Sequence, residues 1–172
     1  MTSFAKHLET GRVAESAIAK WLQCRGCSVL PAYEVETGQF KGPQFYSRDQ
    51  SFATPDMLVF GGREGKALWV EAKHKTGFAW NRQRQVWVTG VDVRNYNDYI
   101  AVAGRSNLPV WLLFLQRGGQ AKDSPPSPAG LYGQDLEYLT ANENHRGMMG
   151  TREMVYWAID SLRKMAEVED LL

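Results

Sequence analysis

The chain has 172 residues and a formal net charge of +1, and 44% of its residues are hydrophobic. This size and composition are typical of one globular domain with its own core, so we expect residues 1–172 to form a single domain. No apolar run approaches the roughly 20 residues of a membrane-spanning helix. Two cysteines are too few for a disulfide framework, which favours a cytoplasmic protein. Because the charge is balanced, any surface for nucleic acid has to be local.

The first predicted element is a helix over residues 4–25. Its apolar side chains recur at the spacing of one helical face, and they are Ala14, Ala17, Ile18, Trp21 and Leu22. Gly26 is a suitable end for this helix. Cys24 and Cys27 have the spacing of half a zinc site, but the sequence has no second pair, so we interpret both as buried thiols.

A hairpin of two strands is predicted next. The apolar runs at residues 57–60 and 67–70 are joined by a glycine-rich segment that suits a tight connection. Residues 29–35 predict a strand that precedes them, and the polar and aromatic residues 36–54 predict a loop or a smaller hairpin.

Three charged side chains lie at the ends of the two hairpin strands. Asp56 comes directly before the first strand, and Glu71 and Lys73 follow the apolar part of the second. Because side chains alternate along a strand, Glu71 and Lys73 share one face, and a hairpin register could bring Asp56 beside them. Charges at the edge of an apolar sheet are costly to desolvate unless they bind something. The pattern therefore predicts a divalent metal ion held by carboxylates.

Two carboxylates form a hard oxygen site of the kind that Mg²⁺ or Mn²⁺ occupies. Such an ion lowers the pKa of a bound water and neutralises charge on a phosphate, which is the chemistry of phosphodiester hydrolysis. Lys73 would position this water, help to deprotonate it or stabilise the anion. Glu15, at the border of the apolar face of the first helix, could complete the metal shell. The alternative for Glu15 is a partly exposed glutamate without a role.

The second half of the chain continues an α/β pattern. Residues 92–103 predict a helix with Asp92 as its N-cap and with an inner face formed by Val93, Tyr96, Ile100 and Ala103. Residues 110–115 are continuously apolar, which is typical of a strand buried on both faces. Residues 118–130 predict a loop. Thr151 then begins a last predicted amphipathic helix with an apolar face of Met154, Ala158, Leu162 and Met165.

The order Glu15, then Pro55-Asp56, then Glu71-Ala72-Lys73 resembles the PD-(D/E)xK nuclease superfamily. The resemblance covers roughly residues 11–115. It implies the restriction-endonuclease-like fold, which has an αβββαβ core with a mixed central sheet flanked by helices. On this basis the core takes up about residues 4–116, and residues 117–172 form a C-terminal helical extension.

The resemblance also implies a role for each residue of the motif. Asp56, Glu71 and Glu15 would bind the metal together with the backbone carbonyl of Ala72, and Lys73 would complete the catalytic set. The family often has a polar or basic residue on the second core helix. The available residues there are Arg94, Asn95, Tyr96 and Tyr99, and the choice among them stays open.

Basic and aromatic residues cluster around this motif. Between Lys73 and Arg105 there are six basic residues and two acidic ones, an excess that suits a polyanionic substrate. The residues predicted to contact nucleic acid are Lys41, Arg48, Lys75, Arg82, Arg84, Arg94 and Tyr96. A solvated charged face is an equally good interpretation of the charge alone.

These patterns predict a small Mg²⁺- or Mn²⁺-dependent deoxyribonuclease of DNA repair, recombination or phage DNA processing. It would be similar to a phage or bacterial member of the superfamily or to the Holliday junction resolvases. RNA stays open as a substrate, and so does a homodimer. Two alternatives stay open as well: a nucleic-acid-binding module of the same fold that has lost catalysis, and a protein-interaction scaffold. The scaffold predicts neither stabilisation by divalent metal nor salt-dependent DNA binding.

Overall fold

The computed structural model describes residues 3–32, 43–61, 65–120 and 123–171. Within these residues the helices are α1 (Ser3–Cys24), α2 (Val93–Ser106) and α3 (Leu136–Ala141). The strands, in chain order, are β1 (Ser28–Pro31), β2 (Gln44–Tyr46), β3 (Ser51–Ala53), β4 (Met57–Gly61), β5 (Lys66–Lys75), β6 (Ala79–Asn81), β7 (Val86–Asp92), β8 (Val110–Gln116), β9 (Gly130–Asp135), β10 (His145–Met149), β11 (Arg152–Ala158) and β12 (Arg163–Ala166). Short 3-10 helices span Ile159–Ser161 and Glu169–Leu171.

A mixed sheet in the order β1-β4-β5-β8-β9-β12 forms the centre of the protein. Its neighbouring strands are antiparallel except for β5 and β8, which are parallel. A parallel pair needs a crossover connection, and α2 lies on the crossover between β5 and β8. The order α1, β1, β4, β5, α2, β8 is the predicted αβββαβ core, so the predicted fold class is confirmed.

Helix α1 covers one face of the central sheet. All the residues predicted for its inner face are buried: Ala14, Ala17, Ile18, Trp21 and Leu22. They share a hydrophobic cluster with alternate residues of the strands, including Val59, Val70 and Leu113. The chain leaves the helix at Gly26, whose φ of +82° is a left-handed conformation that glycine adopts without steric cost.

The opposite face of the central sheet is covered by α2 and by an antiparallel sheet in the order β10-β11-β7-β6. The largest side chains of this second core are aromatic or long aliphatic, and they include Tyr96, Tyr99, Leu112, Phe114 and Trp157. The N-cap of α2 is Asp92, as predicted, because its side chain accepts a 2.8 Å hydrogen bond from the backbone N–H of Arg94.

The inner face of α2 differs from the prediction. Ile100, predicted to face inward, is 39% exposed, whereas Tyr99 and Val102 are buried beside Tyr96. The buried face is therefore turned by about one residue, towards the end of β5 that carries the charged motif. The helix also continues to Ser106, because the left-handed conformation that follows it is at Asn107, with a φ of 53°.

The prediction that the C-terminal extension is helical is wrong. Thr151 begins no helix, since Arg152–Ala158 is strand β11, and the extension contains four strands, β9 to β12. Val155 and Trp157, which lie outside the predicted helical face, are both fully buried. The error has a geometric reason: residues four apart share a face in a helix, but they also share a face in a strand. The β-branched and aromatic side chains of this segment favour the strand.

Strands β6 and β7 were also missed by sequence reasoning, which assigned no structure to the segment before α2. Trp80 and Trp87 face each other across these strands with ring centroids 4.9 Å apart. Such a cross-strand pair of aromatic side chains helps to stabilise the hairpin.

Two smaller expectations concern the cysteines and the membrane. Cys24 is exposed and Cys27 is half-buried, so their interpretation as two buried thiols is wrong. In the described residues, no helix is long and apolar enough to cross a membrane.

Candidate active site

The start of β4 and the end of β5 meet at one edge of the central sheet. Their pairing ends where Met57 lies opposite Val70, so Asp56 comes to lie beside the residues that follow Val70. The carboxylate of Asp56 accepts a 2.8 Å hydrogen bond from the backbone N–H of Ala72. The predicted hairpin register therefore does bring Asp56 to the Glu71-Ala72-Lys73 motif.

Glu71 is the most deeply buried charged residue of this edge, with 2% of its surface exposed. Its carboxylate forms an ion pair with Lys73, two residues along the same face of β5. Its second oxygen, Oε2, is buried and has no hydrogen-bond partner among the residues that the structure describes. A buried carboxylate oxygen without a partner is unfavourable, and it is uncommon in folded proteins. It is therefore an available ligand at the centre of the site.

Tyr99 of α2 lies over this pair. The Nζ atom of Lys73 is 5.9 Å from the centre of the Tyr99 ring, within the range of a cation–π contact. Burial, and then the negative charge of Glu71, raise the pKa of the Tyr99 hydroxyl well above its ordinary range. Of the candidates on the second core helix, Tyr99 is therefore the residue that faces the motif. The sequence signal for it was its position three residues after Tyr96, on the same helical face.

The carboxylates of the site repel each other. Burial, and then the charge of Glu71, raise the pKa of Asp56 to about 8. The same two causes, in the same order, raise the pKa of Glu15 on α1. Burial alone would lower the pKa of Lys73, but the charges of Glu71 and Asp56 outweigh it and raise that pKa. The structure thus brings all four predicted residues into one electrostatic cluster with three acids and one cation.

The backbone of Ala72 faces Asp56 rather than β8. The backbone N–H of Trp69 donates a hydrogen bond to the carbonyl of Pro109, and the backbone N–H of Arg117 donates one to the carbonyl of Lys75. In a parallel ladder only alternate residues bond to a given neighbour, so the residues at 69, 71, 73 and 75 bond towards β8. The N–H and the carbonyl of Ala72 therefore point to the side of β5 on which β4 lies. The pairing of β4 with β5 stops at Val70, so no residue of β4 lies opposite Ala72. The Ala72 carbonyl is therefore directed to the side of β5 on which Asp56 lies.

The donor set fits a hard divalent cation. In the described parts of the chain, no three His, Cys, Asp or Glu side chains already converge as a metal site. Asp56 and Glu71 nevertheless supply carboxylate oxygens, one of them buried and unpartnered, and Ala72 adds a carbonyl. A cation at this point would satisfy Glu71 Oε2 and relieve the repulsion that raises the pKa of Asp56.

The residues predicted to contact nucleic acid have different surroundings. Lys75 is half-buried and donates a 2.7 Å hydrogen bond from Nζ to the carbonyl of Gly90, so its ammonium is turned into the protein. Burial, and then the charge of Lys73, lower the pKa of Lys75 to about 8. Tyr96 is 1% exposed, and its hydroxyl donates to Glu143 at 2.8 Å and lies 3.1 Å from the hydroxyl of Thr140, so its assignment to a nucleic-acid surface is corrected to a core position.

The remaining predicted contacts are at the surface. The exposed residues are Arg48, Arg82, Arg84 and Arg94. Arg84 donates to the backbone and side-chain oxygens of Asn144, and Arg82 lies 3.8 Å from a carboxylate oxygen of Asp123. Lys41 lies outside the described residues.

Sequence reasoning missed a buried polar pair on the same face of the sheet. Gln116 is fully buried at the end of β8, and its Nε2 donates a 3.1 Å hydrogen bond to the hydroxyl of Thr89 on β7. The available signal was a glutamine that directly follows a continuously apolar strand. This pair ties β7 to the central sheet close to Lys75, which is aligned with Gln116 in the parallel register.

No family model matches the sequence, and no curated protein matches it. Among solved structures, the chain is similar to D212, a nuclease from a fusselovirus, with a TM-score of 0.43 and 12% identity over 99% of this chain and 90% of that one. It is also similar to Hjc, a Holliday junction resolvase from Archaeoglobus fulgidus, with a TM-score of 0.51 and 8% identity over 90% of this chain and 91% of that one. The likeness to Hjc shows a shared fold, which here is the predicted αβββαβ core with a mixed central sheet.

Proposed function

We propose that this protein is a metal-dependent nuclease that hydrolyses phosphodiester bonds in DNA, with Asp56, Glu71 and Lys73 at its catalytic centre. The observation that carries the proposal is the buried and unpartnered Oε2 atom of Glu71, beside a second carboxylate at the edge of a nuclease-like sheet. A purely structural ion pair between Glu71 and Lys73 would have no reason to keep a carboxylate oxygen unsatisfied. A site for a divalent cation accounts for it.

Asp56 and Glu71, with the carbonyl of Ala72, would hold Mg²⁺ or Mn²⁺. When bound, the ion supplies a water molecule of lowered pKa and neutralises charge on the phosphate. Asp56 has a second task, because its hydrogen bond to the N–H of Ala72 sets the position of the motif backbone. Glu15 adds negative charge from α1, which strengthens the attraction of the site for a cation.

Lys73 would act as a cation rather than as a base. The acids around it raise its pKa above the ordinary value, so its ammonium group stays protonated at neutral pH. A protonated lysine stabilises the negative charge that develops on the phosphate oxygens during hydrolysis. The ion pair with Glu71 and the ring of Tyr99 hold this ammonium at the site.

The substrate of the similar resolvase is the reason to begin with branched DNA. The solved relative is a Holliday junction resolvase, and a role in repair, recombination or phage DNA processing would suit a nuclease of this size. A homodimer, a single domain over residues 1–172 and a cytoplasmic location belong to the same proposal.

The test is cleavage of labelled single-stranded, duplex and four-way-junction DNA with Mg²⁺, with Mn²⁺ and with EDTA. We expect cleavage that requires the metal and that Lys73→Ala reduces by about 10² to 10³-fold, as for the loss of one group that stabilises the transition state. Lys20→Ala, an exposed lysine of α1, is the matched control and should cleave as the wild type does. Metal-dependent cleavage that Lys73→Ala leaves unchanged would overturn this assignment of the site.

A second candidate is a DNA-binding module without catalysis. The observation in its favour is the ion pair itself, because Lys73 occupies one oxygen of the carboxylate that the metal needs. This candidate predicts that no DNA substrate is cut with either metal, while wild type and Lys73→Ala bind DNA with similar affinity. The same cleavage assay, followed by a binding measurement, separates the two.

A further inference from the structure

Two aromatic rings are stacked on neighbouring strands of the second sheet. Tyr156 of β11 lies opposite Gly90 of β7 on one side and opposite His145 of β10 on the other. The rings of His145 and Tyr156 are stacked, with centroids 4.7 Å apart and planes 11° from parallel. Parallel stacking of this kind leaves the outer ring face of the edge residue directed away from the sheet partner.

The pair is linked to Lys75 through the backbone of Gly90. Gly90 accepts the hydrogen bond from Lys75, and Lys75 follows Lys73 on the same face of β5. The Tyr156 ring rests directly on Gly90, since a Cβ atom there would lie 2.7 Å from Cδ1 of Tyr156. Glycine at this position therefore lets Tyr156 lie flat beside the strand that Lys75 contacts.

His145 is held in a fixed orientation. Its Nδ1 donates a 2.8 Å hydrogen bond to Oδ1 of Asn144, and Arg84 donates to that same oxygen at 3.1 Å. Burial, and then the charge of Arg84, lower the pKa of His145, which keeps the imidazole neutral. The ring is thus a preorganised flat surface with an exposed guanidinium near it.

The space above Gly147 lies beside the two rings. A Cβ atom added at Gly147 would contact only Cδ2 of His145 and Cε2 of Tyr156, both at 3.9 Å. The next residue on this face of β10 is Met149, which is 56% exposed. Among the described residues, only these two aromatic rings therefore come within 4 Å of a Cβ atom added at Gly147.

We propose that His145, Tyr156 and Gly147 form a binding subsite for an unpaired base of the DNA substrate, on the outer face of the second sheet. The inference rests on the proposed function, because it names the part of a DNA substrate that this surface would hold. Aromatic platforms bind bases of any sequence, since every base has a π face. A base inside a duplex is already stacked and paired, so the subsite selects single-stranded segments or branch points.

A cross-strand pair that only stabilises the sheet is the competing explanation for the stack. That explanation requires the two rings. It does not require a residue without a side chain at Gly147 or an exposed side chain at Met149. It also predicts that adding a side chain at Gly147 affects nothing but stability. The two explanations therefore differ in what a larger residue at Gly147 does to binding.

The experiment compares variants of the full chain by fluorescence anisotropy in EDTA, so that no metal-dependent cleavage accompanies binding. The probes are a labelled single-stranded oligonucleotide and the fully paired duplex of the same sequence. We expect His145→Ala and Gly147→Val each to weaken single-strand binding by about five- to a hundredfold, and to change duplex binding by less than about twofold. His145→Phe keeps an aromatic ring and should retain the affinity.

The Gly147→Val variant keeps the test independent of folding defects, because a β-branched residue suits an exposed strand and no positive φ is needed there. Thermal melting should confirm that this variant is folded. Unchanged single-strand affinity in both His145→Ala and Gly147→Val would overturn the subsite, as would a wild type that does not bind single strands. Reduced affinity in a protein that cleaves no DNA would support the subsite and reject only the nuclease proposal.

Discussion

Asp56 and Ala72 are joined by a 2.8 Å hydrogen bond in which the carboxylate accepts from the backbone N–H of the central residue of the Glu71-Ala72-Lys73 motif. This contact joins Asp56, the residue before β4, to the part of β5 that continues beyond its pairing with β4. It also places Asp56 near Glu71, whose charge contributes to raising the pKa of Asp56. One short contact therefore sets both the geometry and the electrostatics of the candidate active site.

Asp56→Asn separates these two effects. The asparagine oxygen can still accept from the N–H of Ala72, so the geometry is kept, while the negative charge is lost. We expect nuclease activity to fall by about 10² to 10⁴-fold, the range for removal of a group that acts directly in the chemistry. The thermal midpoint without metal should be unchanged or higher, because the repulsion with Glu71 disappears. A large loss of stability without metal would contradict this division of roles.

The stability of the metal-free protein should depend on pH through Asp56. Its folded pKa of about 8 lies above its ordinary value of 3.8, so folding favours the protonated form. This contribution to stability is fully present below a pH of about 4 and is lost as the pH rises through about 8. Melting curves in EDTA between these limits should show a falling midpoint for the wild type and a flatter profile for Asp56→Asn. Parallel profiles for the two proteins would reject the raised pKa.

A divalent metal ion should stabilise the wild type but not a variant that lacks a metal-binding carboxylate. A ligand that binds only the folded state at a hundred times its dissociation constant adds about 2.7 kcal/mol to the free energy of unfolding. We expect Mn²⁺ to raise the midpoint of the wild type, and to raise it more at higher pH, where the carboxylates are ionised. Glu71→Gln removes a ligand charge and should abolish the shift. A shift of equal size in Glu71→Gln would place the ion elsewhere.

Tyr96 and Tyr99 provide a matched pair of substitutions. Tyr96→Phe removes a hydroxyl that bonds to Thr140 and Glu143 in the core, which should lower stability by about 1 kcal/mol and leave cleavage unchanged. Tyr99→Phe keeps the ring over Lys73 but removes the hydroxyl near Glu71, so it should change the cleavage rate more than stability. Denaturant unfolding and single-turnover cleavage measure the two effects. The reverse pattern would show that Tyr99 is only a packing residue.

Gly90→Ala tests the close approach of β7 and β11 within the second sheet. The added Cβ would clash with the carbonyl oxygen of Val155, and a strand backbone has little freedom to move away. We expect a loss of about 1–3 kcal/mol in the free energy of unfolding. Gly104→Ala is the control, since nothing lies within 4 Å of its added Cβ, and in a helix the change should stabilise by about 0.4–1 kcal/mol. Equal effects of the two substitutions would contradict the close approach at Gly90.

Local periodicity was sufficient to predict the elements that bury one regular face. The inner face of α1 has helical spacing, whereas β4, β5 and β8 contain short apolar runs whose length and flanking turn residues indicate strands. The motif residues could be predicted for the same reason, because alternation along β5 puts Glu71 and Lys73 on one face before any tertiary contact is known.

The pattern in the C-terminal segment was ambiguous, and tertiary packing decided it. Met154 and Ala158 are four residues apart, a spacing that both a helix and a strand accept. Trp157 decides between them, because its indole packs against Tyr96 and Phe114 and donates a hydrogen bond to the carbonyl of Leu139. Those partners are distant in sequence, so no local window contains the information.

The sequence by itself determined the α/β order, the acidic and basic motif and the chemistry that such a motif favours. Only the tertiary structure decided that Glu71 keeps an unpartnered oxygen, that Tyr99 rather than Arg94 faces Lys73, and that Lys75 is turned inward. It also brought His145 and Tyr156 beside Gly90. The physical reason is that composition and spacing act along the chain, whereas burial, charge repulsion and ring stacking depend on residues that only folding brings together.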